Sequence, residues 1–283
     1  MKKKNLKQKF IEIVQDESML AALEKLISWS FNRLKLNLGI IGPFEKRKKF
    51  LSNKLVEKFN GVIQYGPFKG LKFVPESAWG NGADRASMLL GLYEKEVSIS
   101  LQNIPDRYKI LIDLGSADGY YGIGTLVNGM FEKSYCYEMN VVSQKIIKKN
   151  AELNNVASRV LIRGLADKYF YKDFKNDEID QSILLVDIEG AEFDLFDKNL
   201  FEKFSKSIIF IELHPWIFKN NGREEIQKLE NNAREYFTIE KITTTSRDLS
   251  EFEELKKWSD TDRWLICSEG RPKLMTWWRL DPL

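Results

Sequence analysis

The sequence predicts an α/β fold in which a mainly parallel sheet is covered by helices on both faces, with a helical lobe at the N-terminus. Two observations predict the sheet: from residue 109 short apolar runs alternate with stretches of helical period, and the first run ends in a glycine-rich turn. A third sets the lobe apart. Residues 1–60 hold 14 Lys and Arg against 6 Asp and Glu, a net of +8, while the rest of the chain carries −5.

In the lobe, residues 1–60, Phe10, Ile13, Val14, Leu20, Leu23, Leu26 and Ile27 recur at mostly helical spacing until Gly39 and Gly42-Pro43 punctuate the pattern. Residues 61–283 are expected to form the second domain. Its lead-in, 61–108, opens with GVIQYGPFKGLKFVP, where β-prone runs flank Gly66-Pro67 and Gly70 as in a hairpin or small meander. A helix through LLGLYEKEVSISLQ follows, with Met88, Leu89, Leu92 and Val97 on its apolar face. The core, 109–283, reads as strands Ile110–Leu114, Ser134–Glu138, Val160–Gly164, Ile183–Ile188 and Ile208–Leu213, with helices near 121–130, 142–154, 191–203 and 223–235. Strands at Phe237–Ile242 and Arg263–Ser268 are expected to close the sheet.

Composition excludes several classes. With 43% hydrophobic and 30% charged residues, the chain has the balance of a globular protein, not of a disordered or fibrous one. No run approaches the roughly 18 apolar residues of a spanning helix. Glu12, Asp16 and Glu17 interrupt what a signal peptide would keep apolar, so a cytoplasmic location is expected. The basic lobe suits either a solvated helix face or a membrane surface, peripheral to the inner face. Cys136 and Cys267 fall in two runs read as buried strands, which suits reduced core thiols.

The glycine-rich turn, ILIDLGSADGYYGIG, follows the first core strand, where a doubly wound sheet binds nucleotide-like ligands. A dinucleotide cradle wants G-x-G-x-x-G, whereas Gly115 and Gly119 stand four apart with Ala117 between them. S-adenosylmethionine has no phosphate to cradle. Loop amides suit its carboxylate, and Asp113 and Asp118 suit its cationic amino group. Ser116, Tyr120 and Tyr121 complete the expected loop contacts. Glu138, at the end of the second strand with Met139 beside it, has the position of a ribose ligand. Gly164, Leu165 and Ala166 suit an adenine face, with Asp167 in reach of its amino group.

Two acidic strand ends supply the chemistry. LLVDIEGAEFDLF sets Asp187, Glu189 and Glu192 at the end of the fourth strand, Glu192 in the place of a helix cap. IIFIELHPW sets Glu212 and His214, the single histidine of the chain, at the end of the next. An imidazole of ordinary proton affinity can take a proton from a hydroxyl during methyl transfer. His214 is therefore the first candidate base and Asp187 the second. A divalent cation held by Asp187, Glu212 and His214, with Glu189 near, is a further arrangement but not the favoured one. Trp79, Tyr93, Glu94, Glu212 and Trp216 are candidates for an acceptor pocket.

With LLGLYEKEV, DLGSADGYYGIG, the D-x-E-G-A-E run and IIFIELHPW, the chain resembles the FkbM family of S-adenosylmethionine-dependent methyltransferases over roughly residues 60–270. That resemblance implies the seven-stranded Rossmann-like methyltransferase fold and methyl transfer to oxygen on sugars, glycan precursors or natural products. It also implies cofactor positions Asp113, Gly115, Ala117, Gly119 and Glu138, and active-site positions Asp187, Glu189 and His214. Ser116-Ala117-Asp118 is more acidic than the family's usual alanine-asparagine loop, and the basic lobe lies outside it. Two rivals come from other classes. A nucleic-acid methyltransferase would use the basic lobe as a clamp, but the fourth strand lacks the Asn/Asp-Pro-Pro-aromatic turn, and acids near the acceptor disfavour polyanions. A noncatalytic protein retaining the fold is opposed by intact Asp113, Glu138 and His214.

Overall fold

The computed structural model describes residues 19, 43–77, 82–269, 271 and 274–283. Two compact units divide the chain, Met1–Arg47 and Lys48–Leu283. The helical positions expected from Phe10 to Ile27, and Gly39 and Gly42, lie outside the described residues, as does Trp79. Pro43 opens helix α1, Pro43–Phe59, where its fixed φ and missing N–H suit a first helical turn.

The second unit is built on a seven-stranded sheet. In chain order the strands are β1 Ile110–Leu114, β2 Lys133–Tyr137, β3 Val160–Arg163, β4 Ser182–Val186, β5 Ile208–Glu212, β6 Phe237–Thr243 and β7 Thr276–Pro282. Their spatial order is β3-β2-β1-β4-β5-β7-β6, and β7 runs antiparallel between β5 and β6 while the others are parallel. Because strand side chains alternate, β1 sends Leu111 to one apolar cluster and Ile110, Ile112 and Leu114 to the other. β4 and β5 divide in the same way, with Ile183, Leu185, Ile208 and Phe210 against one layer and Leu184, Val186, Ile209 and Ile211 against the opposite one. All three strands are buried throughout, as a sheet covered on both faces requires.

The lead-in is more broken than its sequence suggests. The expected hairpin reduces to a single antiparallel bridge, Val62 to Lys72. The helix expected through 89–102 is two pieces, α2 Arg85–Leu89 and α3 Lys95–Gln102. Gly91 separates them at φ +65°, and a Cβ there would meet the Tyr65 carbonyl oxygen at 2.4 Å. Backbone contact between two segments therefore overrides the helical period.

Helices α4 Tyr120–Val127 and α5 Val141–Leu153 cross between the first three strands, followed by α6 Asn176–Asp180. The expected helix 191–203 is divided into α7 Glu192–Leu195 and α8 Lys198–Lys203 because Asp197 caps the second piece, accepting from the Leu200 N–H at 2.9 Å. After α9, Arg223–Ala233, one expectation fails outright: the strand expected at Arg263–Ser268 is helix α10, Asp260–Cys267. Ser259 caps it by accepting from the Asp262 N–H at 3.2 Å, and acids occupy its first turn. Trp264 is exposed while Ile266 and Cys267 are buried, which is one-sided helical burial. Cys267 thus ends a helix; Cys136 lies in β2, and both are buried free thiols. The seventh strand is Thr276–Pro282 instead. No helix among the described residues is long and apolar enough to cross a membrane.

Candidate active site

A cavity of about 380 Å³ opens at the carboxyl ends of β1, β2 and β4. Its lining includes Asp113, Gly115, Ser116, Ala117, Asp118, Tyr120, Tyr121, Glu138, Met139, Gly164, Leu165, Ala166 and Asp187, together with Tyr93, Glu94 and Glu189. Gly119 stands behind the wall, at φ +84° as the residue before α4. Met139 and Leu165 are exposed at the rim. Asp167 is exposed and caps its own turn, accepting from the Tyr169 N–H at 2.7 Å.

The turn after β1 is held by its own backbone. Gly115 and Ser116 donate their N–H groups to the Tyr137 carbonyl at 2.9 and 3.1 Å, and Gly119 donates to the Ser116 carbonyl at 2.7 Å. Ala117, in the left-handed region at φ +47°, donates to Glu138 Oε2 at 2.9 Å. The other Glu138 oxygen accepts from the Asn140 N–H at 2.7 Å, so the carboxylate is fixed in place at the end of β2. Gly115 cannot be replaced: at φ +89°, a Cβ would lie 1.8 Å from the Asp187 carbonyl oxygen. Asp118 accepts from Ser77 Oγ at 2.7 Å and from Arg85 Nη2 at 3.3 Å.

The acids after β4 and β5 form a second layer. Glu192 is fully buried and accepts from the Gly190 N–H at 2.7 Å and the His214 N–H at 2.8 Å. Its Oε1 also lies 3.2 Å from His214 Nδ1. On the other side of the ring, His214 Nε2 lies 3.4 Å from Asp187, 3.5 Å from Glu212 and 3.6 Å from Glu189. Burial alone would lower the proton affinity of His214, but the Glu192 hydrogen bond and the surrounding carboxylates raise it. His214 is 2% exposed and absent from the cavity lining, as are Glu212 and Trp216, whose ring packs edge-on against the imidazole at 5.1 Å.

Arg271 completes this layer, and nothing in the spacing of the sequence marked it. It pairs with both Glu94 and Glu212 and reaches Glu269 at 2.9 Å. Glu94 is itself held at φ +44° and accepts from the Tyr121 hydroxyl at 2.6 Å. Even so, burial raises Glu94 to about 7 against the opposing pull of Arg271. Burial and the charge of Glu94 raise Asp187 to about 7, and burial and the charge of Asp187 raise Glu212 to about 8. Raised proton affinities bring these three carboxyls into the neutral range, where a buried acid can hold or release a proton. Asp187, Glu212 and His214 offer ligand atoms within 4.8 Å of one another, a set able to hold a divalent cation, though Arg271 already brings a positive charge to Glu212.

The donor set fits S-adenosylmethionine. Asp113 Oδ2 and Asp187 Oδ1 are buried without hydrogen-bond partners among the described residues, and both residues line the cavity. Burial raises Asp113 to about 7. A cationic ligand relieves that cost, and the Glu138 carboxylate stands where a ribose would be held.

The profile of the Methyltransferase FkbM domain matches residues 85–256. Sp1610 of Streptococcus pneumoniae is similar in structure, with a TM-score of 0.45 and 14% identity over 67% of this chain and 70% of that one. The tRNA (m1A22) methyltransferase TrmK of B. subtilis gives 0.43 and 13%, covering 66% and 65%. The tRNA (m1A58) methyltransferase TrmI of Aquifex aeolicus gives 0.42 and 15%, covering 68% and 69%. No curated protein matches the chain. Since the matched domain spans well over half of the residues and carries both the glycine turn and the acidic strand ends, this chain belongs to the FkbM family of S-adenosylmethionine-dependent methyltransferases.

Proposed function

We propose that the enzyme methylates a hydroxyl oxygen of a sugar, a glycan precursor or a natural product, with Asp187 as the base. The observation that carries this reading is the position of Asp187: it lines the cavity, its proton affinity is raised to about 7, and its Oδ1 lies 3.4 Å from His214 Nε2. A base poised near neutral pH is what deprotonation of a hydroxyl asks for.

When bound, S-adenosylmethionine supplies a methyl group on a sulfonium, open to in-line displacement. The chain's part is to hold the acceptor oxygen in line and to take its proton. Asp187 accepts that proton on its carboxylate and becomes neutral, while His214, anchored by Glu192, stands 3.4 Å behind it. Tyr93 and Glu94 on the cavity wall offer an aromatic face and a carboxylate to a polyhydroxylated ring. The acids around the acceptor position disfavour a phosphate backbone. Residues 1–60 are read as a separate lobe whose basic helix face is solvated, with a membrane surface as the alternative, in a protein of cytoplasmic location.

A methyl-transfer screen over nucleotide-sugars, glycans and RNA, read as formation of S-adenosylhomocysteine, tests the acceptor class. Turnover with hydroxyl-rich acceptors that is abolished by Asp187→Asn supports the reading. Turnover with RNA alone, or turnover on sugars that survives Asp187→Asn, overturns the acceptor or the base respectively.

A further inference from the structure

Among the described residues, the cavity wall carries one cation, Arg85, to which the proposed reaction gives no part. Arg85, the first residue of α2, is 6% exposed, and its guanidinium lies over the Phe73 ring with Cζ 3.9 Å from the centroid. Its Nη2 donates to Asp118 Oδ2 at 3.3 Å and to the Glu76 carbonyl at 3.5 Å. Nη1 is buried with no hydrogen-bond partner among the described residues. Burial lowers the proton affinity of Arg85 and Asp118 opposes the shift, the pattern of an under-compensated cation. Leaving a charged donor buried and unpaired is costly, so the site is built for an anionic group that arrives with a ligand.

The turn after β1 sharpens the point. A carboxylate bound beside it would ordinarily draw on its amides, but those of Gly115, Ser116, Ala117 and Gly119 are already donated within the protein. The orphan donor on the same cavity wall is Arg85 Nη1. S-adenosylmethionine carries one anionic group, its α-carboxylate, and the orphan acceptor Asp113 suits its cationic amino group. We infer that Arg85 binds the α-carboxylate of S-adenosylmethionine through Nη1 and makes the enzyme select ligands that keep this group. Phe73 beneath and Asp118 beside hold the guanidinium plane, which a lysine cannot reproduce.

Calorimetry on the full chain tests this with two probes, S-adenosylhomocysteine and S-adenosyl-3-thiopropylamine, its analogue lacking only the carboxylate. The native protein is expected to prefer the first by roughly 10- to 100-fold, the size of one hydrogen bond between charged groups. Arg85→Gln and Arg85→Lys should lose most of that preference by weakening S-adenosylhomocysteine alone, leaving the analogue within about twofold of native. Should Arg85→Gln fail to fold, the preference of the native protein together with Arg85→Lys still decides. Equal binding of both probes by the native protein overturns the inference. So does a variant that binds S-adenosylhomocysteine as native does but shows a raised KM for its acceptor, since Arg85 would then anchor an acceptor anion. A native protein that binds neither probe overturns the cofactor assignment itself, and this inference with it.

Discussion

The turns after β1 and β4 sit side by side, with Leu114 opposite Val186 in the sheet, yet they are built in different ways. Both need left-handed backbone, at Gly115 and Ala117 in the first and at Glu189 and Gly190 in the second. The first is tied down by main-chain hydrogen bonds to itself and to the end of β2. The second is held by its own Glu192, which accepts from the Gly190 and His214 N–H groups, and lies against His214 of a remote segment, beyond which Glu212, Arg271 and Glu94 pair in turn. In the proposed mechanism the first turn is the cofactor's receptor and the second a store of exchangeable protons. They touch where the Asp187 carbonyl closes over Gly115, so one contact joins the two turns.

Breaking the proton store should cost the most. Asp187→Asn is expected to lower kcat by about 10²- to 10⁴-fold while S-adenosylhomocysteine affinity, measured by calorimetry, stays within a few-fold of native. Preserved kcat would move the base elsewhere, His214 being next in line. Breaking the contact between the turns comes second. Gly115→Ala forces a Cβ into the Asp187 carbonyl and should destabilise the fold by about 2 to 4 kcal/mol with loss of S-adenosylhomocysteine binding, read by thermal unfolding with and without ligand. An unchanged melting curve would show that the two turns are not tightly joined.

Glu192→Gln leaves the His214 anchor in place but sets an amide nitrogen against a backbone N–H, so about 1 to 3 kcal/mol of stability should be lost in denaturant unfolding. The smallest effect sharpens the comparison. Because the base must be ionised to accept a proton and Asp187 is raised to about 7, kcat/KM should climb as pH rises towards about 7 and level off above it. Glu94→Gln removes a neighbouring negative charge that raises Asp187, so the midpoint should move to lower pH by roughly a unit or less. A midpoint that stays put would exclude Asp187 as the group that titrates.

The two turns were also unequally legible. DLGSADGYYGIG announces its turn because the glycines, the strand before and the helix after are contiguous. Glu138 follows from the length of one crossover. The acids at the end of β4 and His214 at the end of β5 were readable as strand-end residues. That Glu192, not solvent, would anchor His214 was not readable from sequence. Arg271 and Arg85 were missed because their partners are distant: Glu94 lies 177 residues from Arg271, and Asp118 lies 33 from Arg85. The helix Asp260–Cys267 is a different miss. Its cap Ser259 and first-turn acids were present in the sequence, and a short apolar run outweighed them.

By itself the sequence determined the alternation of strands and helices from β1 to β6, the place of the glycine turn and which strand ends carry acids. These depend on period, turn residues and capping within a few positions. Only the tertiary structure decided that Thr276–Pro282 enters between β5 and β6, that Gly91 breaks the lead-in helix, and that four carboxylates surround one imidazole while three pair with one guanidinium, Glu212 meeting both. Strand insertion, backbone crowding and buried charge pairing all depend on segments far apart in the chain. Their energies exist only once the core has brought those segments together.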